Sequence, residues 1–489
     1  MQKKYIIGID EGTTSVRSVL YDTTKFEIVD SEQIKFEQIF PLPGWVEQNA
    51  EDVFKKLEKT LNTIIKRNNL TINNTYGLAI TNQRETVVAW NKKTGKAIYN
   101  AIGWQCRRTS EYCKKIPNKV AIKNKTGLIM DAYFSASKIN WLLRNCPEIK
   151  ELEKQDNLCF GTMDSFIIYK LTKGLSFVTD VTNASRTMLF NINTLMWDEK
   201  LLNQFKIKQN CLPKVLPCNS NFGFAQTCVG ELPILSVMGD QQASLFGQGC
   251  FKTGMTKATY GTGCFVLMNS GNVPYTKNKK MLSTIAWQID NKTTYALEGS
   301  VFNAGSALEW GNRIGLFKNS RETAQLAQSV NSNLGLYMVP AFNGLGAPYW
   351  DSSAKGTIYG ITGGVTKAHL SRAILESIAY STYDIINAME NKAIKIKEIR
   401  CDGGVSKNDF LLQFQSDLVR VKLLRQQSIE ATVLGTIYMA GLNAKVFNSL
   451  EDIEKHIKFE SEWTPKMETE ETMKLINEWH KAVKKAMNK

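Results

Sequence analysis

Tyr5-Ile6-Ile7-Gly8-Ile9-Asp10-Glu11-Gly12-Thr13-Thr14-Ser15-Val16-Arg17-Ser18-Val19-Leu20-Tyr21 is the stretch from which the fold can be read. Tyr5 to Asp10 is a short apolar run ending in a carboxylate, and Val16 to Tyr21 is a second strand-like run. The small residues between them make a tight turn, so the whole reads as a β-hairpin. Backbone N–H groups and hydroxyls in such a turn can surround phosphate oxygens, and Asp10 can hold Mg²⁺ directly or through water. A plain polar hairpin turn is the competing reading of the same residues.

The arrangement recurs in the second half of the chain. Thr256 to Tyr260 leads into Gly261-Thr262-Gly263 and then the apolar strand Cys264 to Met268. A third apolar stretch ends at Asp402-Gly403-Gly404-Val405-Ser406-Lys407-Asn408, where glycines permit close approach of a nucleotide. Each turn taken singly is a weak signal. Together with alternating strand and helix patterns, they predict an α/β protein with a duplicated core, one hairpin per half facing a shared cleft, and a boundary near Gly247 to Gly254. The 489 residues are too many for one core and fit two large domains, taken as 1–248 and 249–489. Helices are expected over Ala50–Arg67, over Lys367–Asn391 with Ile374, Ile378, Ile385 and Met389 on one face, and over Glu470–Met487. The last is basic towards its end and carries Trp479, and packing on the second domain is favoured over a membrane-surface role.

Composition excludes several classes. Apolar residues make up 43% and charged residues 22%, values of a folded globular chain. The net charge of +15 is spread along the sequence with acids interleaved, so no nucleic-acid partner is expected, although the field favours an anionic substrate. Ten cysteines form no CxxC pair and are expected to be reduced, and three widely spaced histidines do not suggest zinc. Asp10 interrupts the N-terminal apolar run, so neither a signal peptide nor a membrane anchor is expected, and the expected location is cytoplasmic.

Asp240 follows the strand-like Ile234 to Met238 and precedes a helical pattern, at the sheet mouth where ligands of α/β proteins bind. It is a candidate general base and equally a candidate helix cap. Arg84-Glu85, at a strand-to-loop transition, can donate to and accept from polyol hydroxyls; on sequence alone a surface ion pair is the favoured reading.

Taken together these segments resemble the FGGY family of carbohydrate kinases over nearly the whole chain. Matching stretches are Pro43 to Glu47 (PGWVE), Ile80 to Thr86 (ITNQRET), Thr179 to Arg186 (TDVTNASR), Gly239 to Gln242 (GDQQ) and Tyr260 to Gly263 (YGTG). Two further stretches look like family signatures, Tyr133 to Asn145 and Gly344 to Thr362. The resemblance implies a duplicated actin-like, ribonuclease-H-like fold with ATP and glycerol meeting between two domains. It implies Asp240 as base, and Arg84, Glu85, Trp104, Tyr133, Asp240, Gln241 and Phe265 around glycerol. Thr13, Thr14, Ser15, Arg17, Thr262, Gly305, Glu309, Gly404 and Asn408 fall where the family binds nucleotide, and Asp10 where it organises Mg²⁺. A homodimer or homotetramer is expected. Glu11 and Glu309 stand where the family tends to have glutamine; strand alternation turns Glu11 to the face opposite Asp10, and Glu309 puts a carboxylate near the adenine.

Overall fold

The computed structural model describes residues 3–278, 280–390, 394–428 and 430–488. The first hairpin is β1 (Tyr5–Glu11) and β2 (Ser15–Asp22), closed by Gly12 N–H donating to the Ser15 carbonyl at 2.9 Å. β2 continues antiparallel into β3 (Glu27–Lys35), and α1 (Ala50–Arg67) covers this sheet. Asn49 caps α1 by accepting from Asp52 N–H, and Glu51 and Asp52 open the helix while Lys66 and Arg67 close it, each charge opposing the helix dipole. Val53, Leu57, Leu61 and Ile64, spaced by about one turn, are its buried stripe. β4 (Thr75–Asn82) pairs parallel with β1; β5 (Phe224–Thr227) and β6 (Gly230–Gly239) form an edge hairpin, with β6 parallel to β4. The six-stranded order is therefore β3-β2-β1-β4-β6-β5.

After β6 comes α2 (Asp240–Gly247), and β7 (Met255–Tyr260) starts the second sheet. β7 and β8 (Cys264–Gly271) form the second hairpin, followed by β9 (Leu282–Ile289) and β10 (Lys292–Val301). Then come α3 (Gly305–Arg313), α4 (Lys367–Met389), β11 (Glu398–Asp402), α5 (Asp409–Val419), β12 (Lys422–Gln426), α6 (Ala431–Asn443), β13 (Phe459–Trp463) and α7 (Thr469–Ala486). The seven-stranded order is β9-β10-β8-β7-β11-β12-β13. Strands β10-β8-β7-β11-β12 repeat the pattern of β3-β2-β1-β4-β6: three antiparallel strands, then two parallel ones. That repeat is the duplicated α/β core expected from the two hairpins.

The predicted helices are found, α4 with Ile374, Ile378, Ile385 and Met389 all buried; the predicted end at Asn391 lies outside the described residues. Trp479 of α7 is buried, stacked on Tyr380 of α4 with ring centroids 5.2 Å apart, and donates to Asp384 at 2.7 Å. The C-terminal helix is thus a core helix, and among the described residues no helix is long and apolar enough to cross a membrane. All ten cysteines are free thiols.

The halves are joined by helix contact. α6, late in sequence, lies on the first sheet against β1, β4 and β6 and packs on α2. Its Gly435 and the Gly247 of α2 let the backbones touch: a Cβ on Gly435 would fall onto the Ala243 carbonyl, and one on Gly247 onto the Ala431 carbonyl.

Candidate active site

The first phosphate-sized turn sits at the open end of β1 and β2. Asp10 is in register with Arg17, whose guanidinium also binds the Glu430 carboxylate, at 2.7 Å through one nitrogen. Burial raises the Asp10 carboxyl to about 6; Arg17 opposes the shift, and the charges of Asp240 and Glu430 add to it. Glu11 points the other way, as alternation requires. It is fully buried, accepts from Gln83 Nε2 at 2.6 Å, and its second oxygen has no partner. Burial pushes Glu11 well above the ordinary range, with the hydrogen bond from Gln83 opposing. Gln83 and Gln48 continue this network to the Thr13 carbonyl.

Arg84 and Glu85 correct the sequence reading: both are buried, so a surface pair is excluded. Their chief partners are not each other, since Arg84 Nε and Glu85 Oε1 are 3.9 Å apart. Arg84 instead forms a fork on Glu298 of β10 at 2.7 and 3.2 Å, and its Nε lies 3.3 Å from Asp240 Oδ1. Glu85 accepts from Arg186 Nε at 2.5 Å, and Arg186 reaches Glu298 at 2.9 Å. Burial works against the charge on Glu298, but Arg186 and Arg84 outweigh it and hold the carboxyl at about 2. Two guanidiniums and two carboxylates thus alternate across the line between the halves, the arrangement a buried charge cluster needs. Glu85 has φ 60, a left-handed backbone uncommon for a residue with a side chain, and its carbonyl is held there by Ser135 Oγ at 3.1 Å and Lys138 Nζ at 3.4 Å.

Asp240 is not the cap of α2. Gly239 occupies the N-cap position and Asp240 is the first helical residue, its Oδ1 accepting from Gln241 N–H at 2.7 Å. The carboxylate is partly exposed beside the buried Arg84. Trp104 follows a short strand, Ala101–Ile102, and meets Tyr133 edge-on at 5.7 Å, while its indole N–H donates to Thr13 Oγ1 at 3.2 Å. The polyol candidates and the first turn are therefore in direct contact. Phe265 lies on β8 in register with Thr259 and Ser300.

The second turn closes by Gly261 N–H donating to the Gly263 carbonyl at 2.9 Å. Gly305 N–H donates to the Gly261 carbonyl at 2.9 Å, and Ser306 N–H to the Thr262 carbonyl at 3.0 Å, so the start of α3 is clamped onto the turn. A Cβ on Gly305 would meet the Gly261 carbonyl oxygen at 2.6 Å, which is why glycine stands there. Gly403, at φ 91, packs its Cα against the Tyr260 backbone, bringing the third glycine turn to the same end of the sheet; Gly404 beside it faces open space. Asn408 is buried and caps α5 by accepting from Leu411 N–H at 3.1 Å, leaving its amide nitrogen unpartnered. Thr14 is exposed, Ser15 Oγ accepts from Gln33 at 2.8 Å, and Glu309 is exposed one turn beyond Gly305.

Sequence reasoning gave no role to Glu298, Arg186, Lys257 or Glu430. The available signal was a lone charge inside an otherwise apolar strand, Glu298 in Tyr295–Val301 and Lys257 in Met255–Tyr260, which a soluble chain tolerates in a core only when it is paired.

The model of the FGGY family of carbohydrate kinases, N-terminal domain, matches residues 5–247, and that of its C-terminal domain matches residues 256–444. The chain is 45% identical to a glycerol kinase of Parabacteroides distasonis, covering 100% of this chain and 99% of the relative. It is 46% identical to a glycerol kinase of Clostridium botulinum, covering 99% of each. Among solved structures, the Plasmodium falciparum glycerol kinase with ADP superposes with a TM-score of 0.95 at 36% identity, over 99% of both chains. A xylulose kinase from Lactobacillus acidophilus, 22% identical, shares the fold with a TM-score of 0.89 over 99% of this chain and 98% of its own. With both family domains matched in order across the two sheets, the chain belongs to the FGGY family of carbohydrate kinases.

Proposed function

We propose that the protein transfers the γ-phosphoryl group of ATP to a terminal hydroxyl of glycerol, giving sn-glycerol 3-phosphate and ADP, with residues 1–248 holding glycerol and phosphates and 249–489 the nucleotide. The observation that carries this reading is Asp240 at the first position of α2, 3.3 Å from a buried Arg84. Arg84 and Glu85 would bind neighbouring hydroxyls, Gln241 a further oxygen, and Trp104, Tyr133 and Phe265 the carbon backbone. Asp240 accepts the proton as the hydroxyl oxygen bonds to the γ-phosphorus and the bond to the β–γ bridging oxygen breaks. The turns at Thr13–Ser15 and Thr262, with Arg17, Gly305, Gly404 and Asn408, would hold the nucleotide, and most of the rate comes from this positioning. Trp104, bonded to Thr13, couples the filled acceptor site to the phosphate turn.

Magnesium fits the residues present. Asp10 offers a hard oxygen whose ionisation is opposed by burial and by nearby carboxylates, a condition a divalent cation relieves. Among the described residues no three His, Cys, Asp or Glu side chains form a ready metal cage, and Mg²⁺ in kinases binds through one or two carboxylates plus substrate phosphates. When bound, it would supply charge neutralisation on the transferring phosphoryl group.

The testing experiment is ADP release with glycerol, ribulose, xylulose and gluconate side by side. Glycerol is expected to give the highest kcat/KM, because the buried Arg84 and Glu85 beside Trp104 and Tyr133 offer polar and aromatic groups in the number a small triol can engage. A five- or six-carbon acceptor exceeding it would move the protein to a sibling activity in the same family.

A further inference from the structure

Lys257 is completely buried in β7, in register with Arg400 on one side and Leu267 on the other. Its ammonium donates to Gln241 Oε1 at 2.5 Å and to Thr259 Oγ1 at 2.8 Å. The charges facing it include Asp402, Asp240, Arg84 and Glu298; burial lowers its pKa, and Asp402 and Asp240 oppose that. An ammonium has no lone pair, so a carboxamide touching it must turn its oxygen inward and its NH₂ outward. The outward Nε2 of Gln241 is 3.5 Å from Asp240 Oδ2, at the limit of a hydrogen bond, and its donors are left for a third group.

We infer that Lys257 is a positioning residue for phosphoryl transfer: by fixing the Gln241 amide it makes Gln241 a donor, not an acceptor, towards the hydroxyl whose proton Asp240 takes. The inference rests on the proposed contact between Gln241 and glycerol. The attacking oxygen has one proton, which must point at Asp240. A donor at Gln241 occupies a lone pair of that oxygen and leaves the proton no second acceptor. A flipped amide would compete with Asp240 for the same proton.

The test is steady-state kinetics of the full chain for Lys257→Met, Gln241→Ala, the double variant and Lys257→Arg, with thermal melts. Lys257→Met and Gln241→Ala are each expected to raise the glycerol KM about tenfold with the ATP KM within about twofold. The double variant is expected to be no worse than Gln241→Ala, since Lys257 acts through that amide. Lys257→Arg, also donor-only, is expected to recover most of the loss. Additive losses, an unchanged glycerol KM in Lys257→Met, or an equal rise in the ATP KM would overturn the inference. Should Lys257→Met not fold, Gln241→Glu asks the same question without touching the lysine: it keeps an oxygen for Lys257 but has no N–H to present. A glycerol KM raised about tenfold supports the inference, and a wild-type KM contradicts it. Wild-type protein that releases no ADP with glycerol sinks the functional reading as well, whereas an active wild type with an unaffected Gln241→Ala sinks this inference alone.

Discussion

Asp240 and Glu11 are two carboxyl groups close enough to repel each other, with opposite assignments. Asp240 is partly exposed beside Arg84, and Asp240→Asn keeps both the shape and an oxygen for Gln241 N–H. The variant is expected to melt near the wild-type temperature and bind ATP normally while kcat falls roughly 10²- to 10⁴-fold, about 3–5 kcal/mol of transition-state stabilisation. A near-normal kcat would remove Asp240 from the chemistry. Glu11 binds a proton in the fold that the unfolded chain releases above the ordinary value of 4.5. Where the native state holds more protons, stability falls as pH rises, so Glu11 costs stability above that value, and the cost grows up to its raised pKa. Glu11→Gln removes this cost: its melting temperature should exceed wild type by a margin that widens as pH rises above about 4.5 towards the raised pKa. A margin that stays constant as pH rises there would mean Glu11 is already ionised in the fold. At this scale the sequence showed which face Glu11 takes, because strand alternation is local. It did not show that Arg84 pairs with Glu298, because that contact joins residues 214 positions apart.

α2 and α6 carry the contact between the halves, and their glycines fix how closely they approach. Gly435→Ala places a methyl where the Ala243 carbonyl stands, and backbone at both sides leaves little room to yield. Overpacking of this kind costs about 1–3 kcal/mol or more, so the melting temperature is expected to drop clearly. Alanine is the better helix former, so an unchanged or raised melting temperature would show that the helices are not in backbone contact. Hairpins and long helices were legible in the sequence because their signals are local. Ala50–Arg67 carries a cap, a charge gradient and an apolar stripe, and its observed bounds match those read from the sequence. Nothing local marks Ala431–Asn443 as a helix that returns to the first sheet, since apolar residues surround it on most sides and no single face is distinguished. The cap reading of Asp240 failed for a similar reason: one residue of register separates a cap from a first helical residue, and sequence does not resolve element ends that finely.

At the scale of the whole molecule, one strand order occurs twice, and the charged cluster of Arg84, Glu85, Arg186 and Glu298 ties the two sheets together. The duplication was legible from two hairpins and a third glycine turn. The buried cluster was not, since each of its charges looks like a surface residue until the sheets are assembled. A fold of this shape also suits a protein that only hydrolyses ATP, and the acceptor-side residues are what distinguish a transferase from it. The most direct measurement is therefore a phosphorus NMR spectrum of the protein with ATP, Mg²⁺ and glycerol. The account expects one phosphate monoester of glycerol to grow in equal amount with ADP; ADP accompanied by inorganic phosphate alone, with or without glycerol, would contradict it.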